Sequence, residues 1–534
     1  MKHWGIRKSL SLLLVLTMVM GLFTACGKKD NNDEGKDKDN TANESVKGNE
    51  EVSNEPIKID WFLYPSYGQP DTESENVKMV EERYNAKFNF WFLDSNKEDT
   101  LNIKLASGEM PDIMRIKWHQ VKQYVKQGIL AEIPEETIRK YAPHYAEYVD
   151  KYDKGLAWMK GKVDGKLYAF PKINLNGTYP TSLIWRQDWL DKLGITKMPE
   201  TLEEFEAALY KISNDDPDGD GEKNTYGISD TAIPSVFAAY GIFTPKLTEA
   251  KISTMIVDGK PVIADIQPEA KEALKLLAKW YKDGVIDPEF VTKENTGGYW
   301  ALSQAFMNGR IGITGGAMFY HYMPETVTGT AGKCYSETLK VNPDIKMSFG
   351  VPPVGPDGKS GTASWGAMGE GIGITTKAAK DPKKVELLLK MLDDAYNEEN
   401  IEYTKTVMYG KEGVDYKIEN GKLSRLNNDM KELNKKGIVV FPGSVVVQKE
   451  VNSGLYEFAD KVASYDSITN SGLPVGDATE KYGAQLSTLK QEAYMEIITG
   501  VKDIDYFDEF VKKFNKSGGE EIQKEIEEIY NSLK

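Results

Sequence analysis

The sequence predicts an α/β fold built on a doubly wound sheet, and three observations predict it. Residues 57–63 (IKIDWFL), 87–93 (KFNFWFL) and 111–116 (PDIMRI) are short apolar runs rich in strand formers. The segments between them have helical periodicity, carried by Val77, Met79, Val80 and Tyr84 in one, and spanning 100–106 in the other. The second segment ends at the turn Ser107-Gly108. Alternation of this kind calls for parallel strands joined by crossover helices. Ligands of such sheets lie beyond the carboxyl ends of the strands. Those ends here carry Tyr64, Tyr67, Trp118 and His119.

Further along, the pattern changes. Residues 163–171 (VDGKLYAFP) read as a hairpin followed by a crossing strand. Residues 182–185 form a strand that leads into a helix at 187–193. Thr201 is an N-cap and Glu204 completes a capping box for a helix over 201–212. Helices are also predicted at 268–283, 300–307, 382–395 and 478–499, with a charged amphipathic pair over 504–533. Spacing assigns Trp91, Phe92, Trp185, Trp189 and Trp280 to the core, and Arg186 to a structural ion pair.

The start of the chain reads as an export leader. Lys2, Arg7 and Lys8 precede an apolar run over 10–23, shorter than the ~20 residues of a membrane span. Thr24, Ala25 and Cys26 follow. A small–small–Cys end resembles the lipobox of bacterial lipoproteins, with Phe23 where Leu is usual. The resemblance implies a signal peptide over 1–25, cleavage before Cys26 and a lipid on its sulfur. Residues 26–55 are mainly Lys, Asp, Asn, Glu, Gly and Ser and cannot bury enough surface to order themselves. They form a tether with a reach of roughly 30 Å.

Composition narrows the function. Of 534 residues, 40% are hydrophobic, with 28 Tyr and 10 Trp, enough for a sizeable core. The net charge of −15 argues against nucleic acid, which calls for basic patches. Two cysteines leave no disulfide framework once Cys26 is lipidated, and Cys334 has no partner. Four histidines leave little room for a His-rich metal site.

The sharpest local motif is Asp216-Pro-Asp218-Gly-Asp220-Gly-Glu222-Lys-Asn224. It matches the D-x-D-x-D-G calcium loop, with a side-chain oxygen at position nine and the Glu222 carbonyl at position seven. Calcium takes roughly six to eight oxygen ligands at about 2.3–2.6 Å, which alternating carboxylates on a tight loop supply. Position twelve, normally a bidentate Glu, is Gly227. The bland alternative is a solvated acidic turn.

Seven segments in order carry a family resemblance: LASGEMPDIMRIKW (105–118), GKLYAFP (165–171), IWRQDWLDKLGI (184–195), PETLEEFEAAL (199–209), QAFMNGRIGIT (304–314), GEGIGITTKAAKDPKKVELLLKML (369–392) and GKEGVDYKIENGK (410–422). Together they resemble extracellular solute-binding protein family 1, which includes maltodextrin- and alginate-oligosaccharide-binding proteins. The resemblance implies a two-lobed periplasmic-binding-protein-like fold with hinge strands between the lobes, closing on its ligand. It implies a first lobe of 56–171 plus about 366–440, and a second of 172–365 plus about 441–534. It also implies an oligosaccharide ligand, ABC transporter permease partners, a monomer held at the outer membrane face by its lipid, and no enzymatic activity. The alginate-type members resemble this chain in having a calcium loop at the acidic motif.

Sugars present apolar CH faces and rings of hydroxyls, so a binder needs aromatic platforms beside a few polar groups. Tyr64 follows the first strand, Tyr179 the first crossing, and Trp365 lies in the Gly/Ser-rich return crossing, near Glu370. The resemblance adds Trp118, Phe319 and Tyr320. Two other readings stay open. One keeps the fold but binds peptides or senses a ligand. The other is an anchored glycoside hydrolase or lyase, although no nucleophile elbow, H-E-x-x-H or phosphate loop is present.

Overall fold

Strand β1 (Ile57–Phe62) buries Ile59, Trp61 and Phe62, and Trp61 donates its indole N–H to the Val440 carbonyl at 3.1 Å. The computed structural model describes residues 55–532, apart from 64–67, 94–97, 154–155, 293, 295–298 and 420–421. The leader, the tether, Cys26 and Tyr64 therefore lie outside the described residues.

After β1 come α1 (Glu75–Tyr84), β2 (Ala86–Phe90), α2 (Glu98–Ala106), β3 (Ile113–Ile116), α3 (Val121–Lys126) and β4 (Phe170–Ile173). β1 pairs in parallel with β2 (Ile59 opposite Phe88) and with β3 (Trp61 opposite Ile113), as crossover helices require. β2 is shorter than expected. It ends at Phe90, which leaves Trp91 half-buried under the Lys104 ammonium and Phe92 40% exposed. Phe92 is therefore not the core residue expected from the sequence, whereas Trp91 still donates its N–H to the Trp61 carbonyl at 2.8 Å and packs, partly buried, on the core that holds Phe62 and Leu105.

The second body holds β5 (Ser182–Arg186), α4 (Leu202–Asn214), α5 (Pro268–Lys282), β6 (Ile313–Ala317) and β7 (Met347–Gly350). Its sheet is antiparallel, with β5 between β6 and β7. The capping box of α4 forms as predicted: Thr201 Oγ1 accepts from the Glu204 N–H, and Glu204 accepts from the Thr201 N–H. β8 (Met368–Ile374) then returns to the first sheet, giving the order β2-β1-β3-β8-β4, and α6 (Pro382–Asp394) packs on it. Helices α7 (Ser453–Val462), α8 (Asp477–Ile498), α9 (Tyr506–Phe514) and α10 (Glu520–Asn531) follow towards the C-terminus.

Each sheet has its own core. In the first, Trp61 packs on Phe88 and Phe441, with ring centroids at 5.6 and 5.5 Å. Phe441, Val445 and Tyr456 belong to this core, past the end at about 440 that the family resemblance implies. In the second, Trp185 meets Phe205 edge-on at 5.1 Å and Tyr494 of α8 stacks on Phe237 at 5.7 Å. Trp185, Trp189 and Trp280 are all buried there. Arg186 pairs with Asp188 at 2.6 Å and lies over the Trp189 ring. Asp265 and Lys490 form an ion pair at 3.5 Å with both side chains out of solvent.

Three segments connect the bodies, and they hold one another. Thr181 donates its N–H to the Ala363 carbonyl (2.8 Å), and Asn174 to that of Ala367 (2.7 Å). Ile468 donates to the Thr362 carbonyl at 2.9 Å, and the Tyr465 hydroxyl to that of Thr181. A Cβ on Gly177 would sit 2.3 Å from the Gly366 carbonyl oxygen, so two of the crossings touch through backbone alone. α7 runs beside the crossings, placing Tyr456 in the first core and Ala459 against Phe319 and Phe349. No helix among the described residues is long and apolar enough to cross a membrane.

Candidate functional site

Two cavities open beside the crossings, walled in part by the same two stretches of chain, 362–370 and 470–476. The smaller, about 390 Å³, is lined by hydroxyls and an amide (Thr181, Thr231, Ser235, Thr244, Thr362 and Asn470), by Lys246, and by the indoles of Trp300 and Trp365. These indoles are among the most exposed large rings described, at 45% and 50%, and they meet edge to face with centroids 5.2 Å apart. The Ser364 hydroxyl beside Trp365 donates to the Gly177 carbonyl and accepts from the Gly366 N–H, which fixes the loop carrying the ring.

Buried carboxylates back this wall. Thr231 donates its N–H and hydroxyl to Glu294, both at 3.1 Å, and its hydroxyl oxygen also meets Thr314 Oγ1 at 2.9 Å and accepts from the Gly315 N–H at 3.3 Å, so it is held within the wall. Burial raises the Glu294 pKa and pushes Asp230 up to about 6. Asp230 accepts from the Leu247 N–H and the Thr248 hydroxyl.

The larger cavity, about 830 Å³, lies between the bodies. Trp118 lines it at the carboxyl end of β3, with its indole N–H donated to the Gly369 carbonyl at 2.8 Å. A Cβ on Gly371 would touch the Trp118 ring at 3.4 Å, so the glycine lets the ring lie against β8. Glu370 lines the same cavity, with Arg115 at 3.7 Å. Burial lowers Lys172, on β4, to about 8 against the pull of Glu370. At the rim, Lys122 of α3 reaches across to Asp477 and to Glu480 (3.6 Å) in the first turn of α8. An ion pair thus joins the first body to the second.

The aromatic residues singled out from the sequence divide. Trp118 and Trp365 line cavities. Phe319 is fully buried, wedged between Tyr179 (5.1 Å) and Tyr320 (5.4 Å) and covered by Ala459 of α7. It is a packing residue rather than the ligand contact expected, since no face is left for a sugar. Tyr179 stacks on Tyr456 and donates its hydroxyl to Asp460 at 2.8 Å. Tyr320 is half-buried, and burial pushes its hydroxyl up to about 12. The sequence places Trp300 at the start of a helix over 300–307, not among the site residues. The helix begins only at Gln304, because Ser303 caps it by accepting from the Phe306 N–H, which leaves Trp300 in the preceding loop. The sequence signal was Ser303 itself, a better N-cap than anything at 299–300.

The acidic loop follows α4. Ligand atoms of Asp216, Asp218 and Asp220 lie within 4.8 Å of one another, all on exposed residues. Asp216 accepts from the N–H groups of Gly219 (3.0 Å) and Gly221 (3.1 Å), and both glycines have positive φ. Partial burial, then a hydrogen bond with Asp216, raises the Asp218 pKa. Gly227 at position twelve has a structural reason: a Cβ there would sit 2.7 Å from that of Leu209, so no carboxylate can stand at that place. Three converging carboxylates suit a hard divalent cation, and the Asn224 amide donates to Asp220 at 2.7 Å.

Two α/β bodies joined by three mutually bonded crossings, with one cavity between them and a tryptophan-lined one beside the crossings, define a protein that binds a solute. The chain belongs to the bacterial extracellular solute-binding proteins, whose family model matches residues 77–407. Among relatives, it is 24% identical over 489 residues to lipoprotein LipO of Bacillus subtilis (strain 168), covering 87% of this chain and 90% of that protein. It is also 24% identical over 496 residues to the polygalacturonan/rhamnogalacturonan-binding protein YtcQ of the same organism, covering 90% and 92%. A solved structure of similar fold is the S. pneumoniae ABC-transporter substrate-binding protein FusA, an EF-hand mutant in complex with fructo-nystose. Its TM-score is 0.60 at 19% identity, over 90% of this chain and 99% of that one.

Proposed function

We propose that this chain is the substrate-binding lipoprotein of an ABC importer and captures an oligosaccharide between its two lobes. One observation carries the reading: the exposed Trp300–Trp365 pair stands over a cavity walled by hydroxyls. Apolar ring faces beside hydrogen-bonding groups are what a pyranose offers a partner for. The saccharides named for YtcQ and FusA support the ligand class, and the name of FusA supports the transporter. The lipobox-like Cys26 and the likeness to LipO support a lipid anchor on the outer membrane face. The protein acts as a monomer and returns its ligand chemically unchanged.

In the same proposal Asp216, Asp218, Asp220, the Glu222 carbonyl and Asn224 hold a structural Ca²⁺, which ties the end of α4 to the following chain. The test is calorimetric titration of the protein with a panel of oligosaccharides, followed by chromatography of the recovered sugar. Saturable binding of an intact sugar supports the reading. Cleavage of the sugar, or silence across the panel, sinks it.

A further inference from the structure

His321 lines neither of the two cavities described above, yet it sits directly behind the exposed Trp300–Trp365 pair. It is 2% exposed. Its ring lies edge-on to Trp300 with centroids 4.9 Å apart, and Trp300 in turn meets Trp365 at 5.2 Å. The ring has one allowed orientation. Nδ1 accepts the Met318 N–H at 3.0 Å, so it carries no proton, and Nε2–H then donates to the Tyr299 hydroxyl, also at 3.0 Å. Tyr299 is the chain neighbour of Trp300, and its ring lies under the Lys333 ammonium.

The backbone of His321 is held as firmly as its ring. A Cβ on Gly332 would fall 2.3–2.4 Å from the carbonyl oxygens of Tyr320 and His321, so the chain closes on that peptide with no room to spare. Trp300 is half-exposed on a loop, and among the described residues its ring meets the rings of Tyr299, His321 and Trp365.

We infer that His321 is the positioning residue of the ligand platform: its neutral, doubly hydrogen-bonded ring sets the plane of Trp300 against Trp365. This rests on the sugar-binding reading of the cleft. An aromatic platform helps a ligand only if its ring is already aligned, since ordering it on binding costs affinity. Burial, which lowers His321 to about 4, keeps the ring neutral at ordinary pH.

The test compares His321→Gln, His321→Ala and Trp300→Phe, and the double variant His321→Ala/Trp300→Phe. The readouts are calorimetric affinity for the sugar found in the panel, near-ultraviolet circular dichroism and melting temperature. Gln can accept from Met318 and donate to Tyr299, so His321→Gln should hold affinity within about threefold. His321→Ala should lose about tenfold or more and lose the same tryptophan dichroism band as Trp300→Phe. The double variant should be little worse than the poorer single one, because both remove one device. Additive losses, or a dichroism band that survives in His321→Ala, would overturn the inference. So would equal weakening by Gln and Ala. If His321→Ala does not fold, His321→Gln and Trp300→Phe still decide: the inference then needs the dichroism band kept in the first and lost in the second, and any other pattern overturns it. If no sugar binds the unaltered protein, the proposed function falls, and the dichroism comparison still tests the positioning role.

Discussion

The indoles of Trp300 and Trp365 stand edge to face at 5.2 Å, one carried by the second lobe and the other by the return crossing. Because each is about half exposed, removing either ring should cost binding rather than folding. Trp365→Ala is expected to weaken sugar affinity by about 10–100-fold, the scale of a lost aromatic hot spot. Its melting temperature should move by no more than a few degrees. Tryptophan fluorescence titration and a thermal melt on the same sample check both halves.

His321 makes stability depend on pH with a defined sign. Its folded value of about 4 lies below the ordinary ~6.5, so the unfolded chain takes up the proton first. The contribution is complete above pH ~6.5 and is lost as pH falls towards 4. Asp230, pushed up to about 6, contributes an opposite slope over part of that window. Tyr320 and Cys334, both pushed up to about 12, do not titrate there. The expected outcome is therefore a difference: urea midpoints of His321→Gln should fall less steeply from pH 6.5 to 4 than those of the unaltered protein.

Lys122 joins the lobes through Asp477 and Glu480. These groups are solvent-exposed in part, so the pair biases lobe position rather than supporting the fold. Lys122→Ala should enlarge the ligand-free radius of gyration in solution scattering and weaken sugar binding by about two- to fivefold. The scattering difference should vanish at saturating sugar. An unchanged radius would show that the pair holds nothing closed.

The acidic loop predicts a calcium dependence confined to stability. Ca²⁺ at a hundred times its Kd should add about 2.7 kcal/mol, seen as a rise in melting temperature that EDTA reverses. Asp218→Asn should abolish that rise and leave sugar affinity within about twofold.

In the second core, Lys490→Met strands the Asp265 carboxylate in an apolar interior. It should cost about 3–5 kcal/mol in denaturant unfolding, and Asp265→Asn/Lys490→Met should recover most of the loss. If the double variant were as unstable as the single one, a packing defect would be the cause.

Much of the first sheet was legible because its strands are short runs of strand formers with period-two burial, as in Ile59 and Trp61 of β1 and Ala86, Phe88 and Phe90 of β2. The Thr201 cap was legible because it is local chemistry. What escaped depends on contacts distant in sequence. Phe319 follows a strand where a cleft residue would stand, but α7, some 140 positions on, covers it. Trp300 looked like the start of a helix, and its partner Trp365 lies 65 residues away. The glycine at position twelve of the acidic loop looked like a missing ligand, whereas it answers a collision with Leu209.

The place of β8 bears on how the chain is made. It sits between β3 and β4, hydrogen-bonded to both, yet some 200 residues follow β4 before it appears. On a ribosome the first lobe is thus a sheet with a gap until residue 374 has been synthesised, and its core lacks Phe441 for longer still. Folding that waits on such distant pairing is slow.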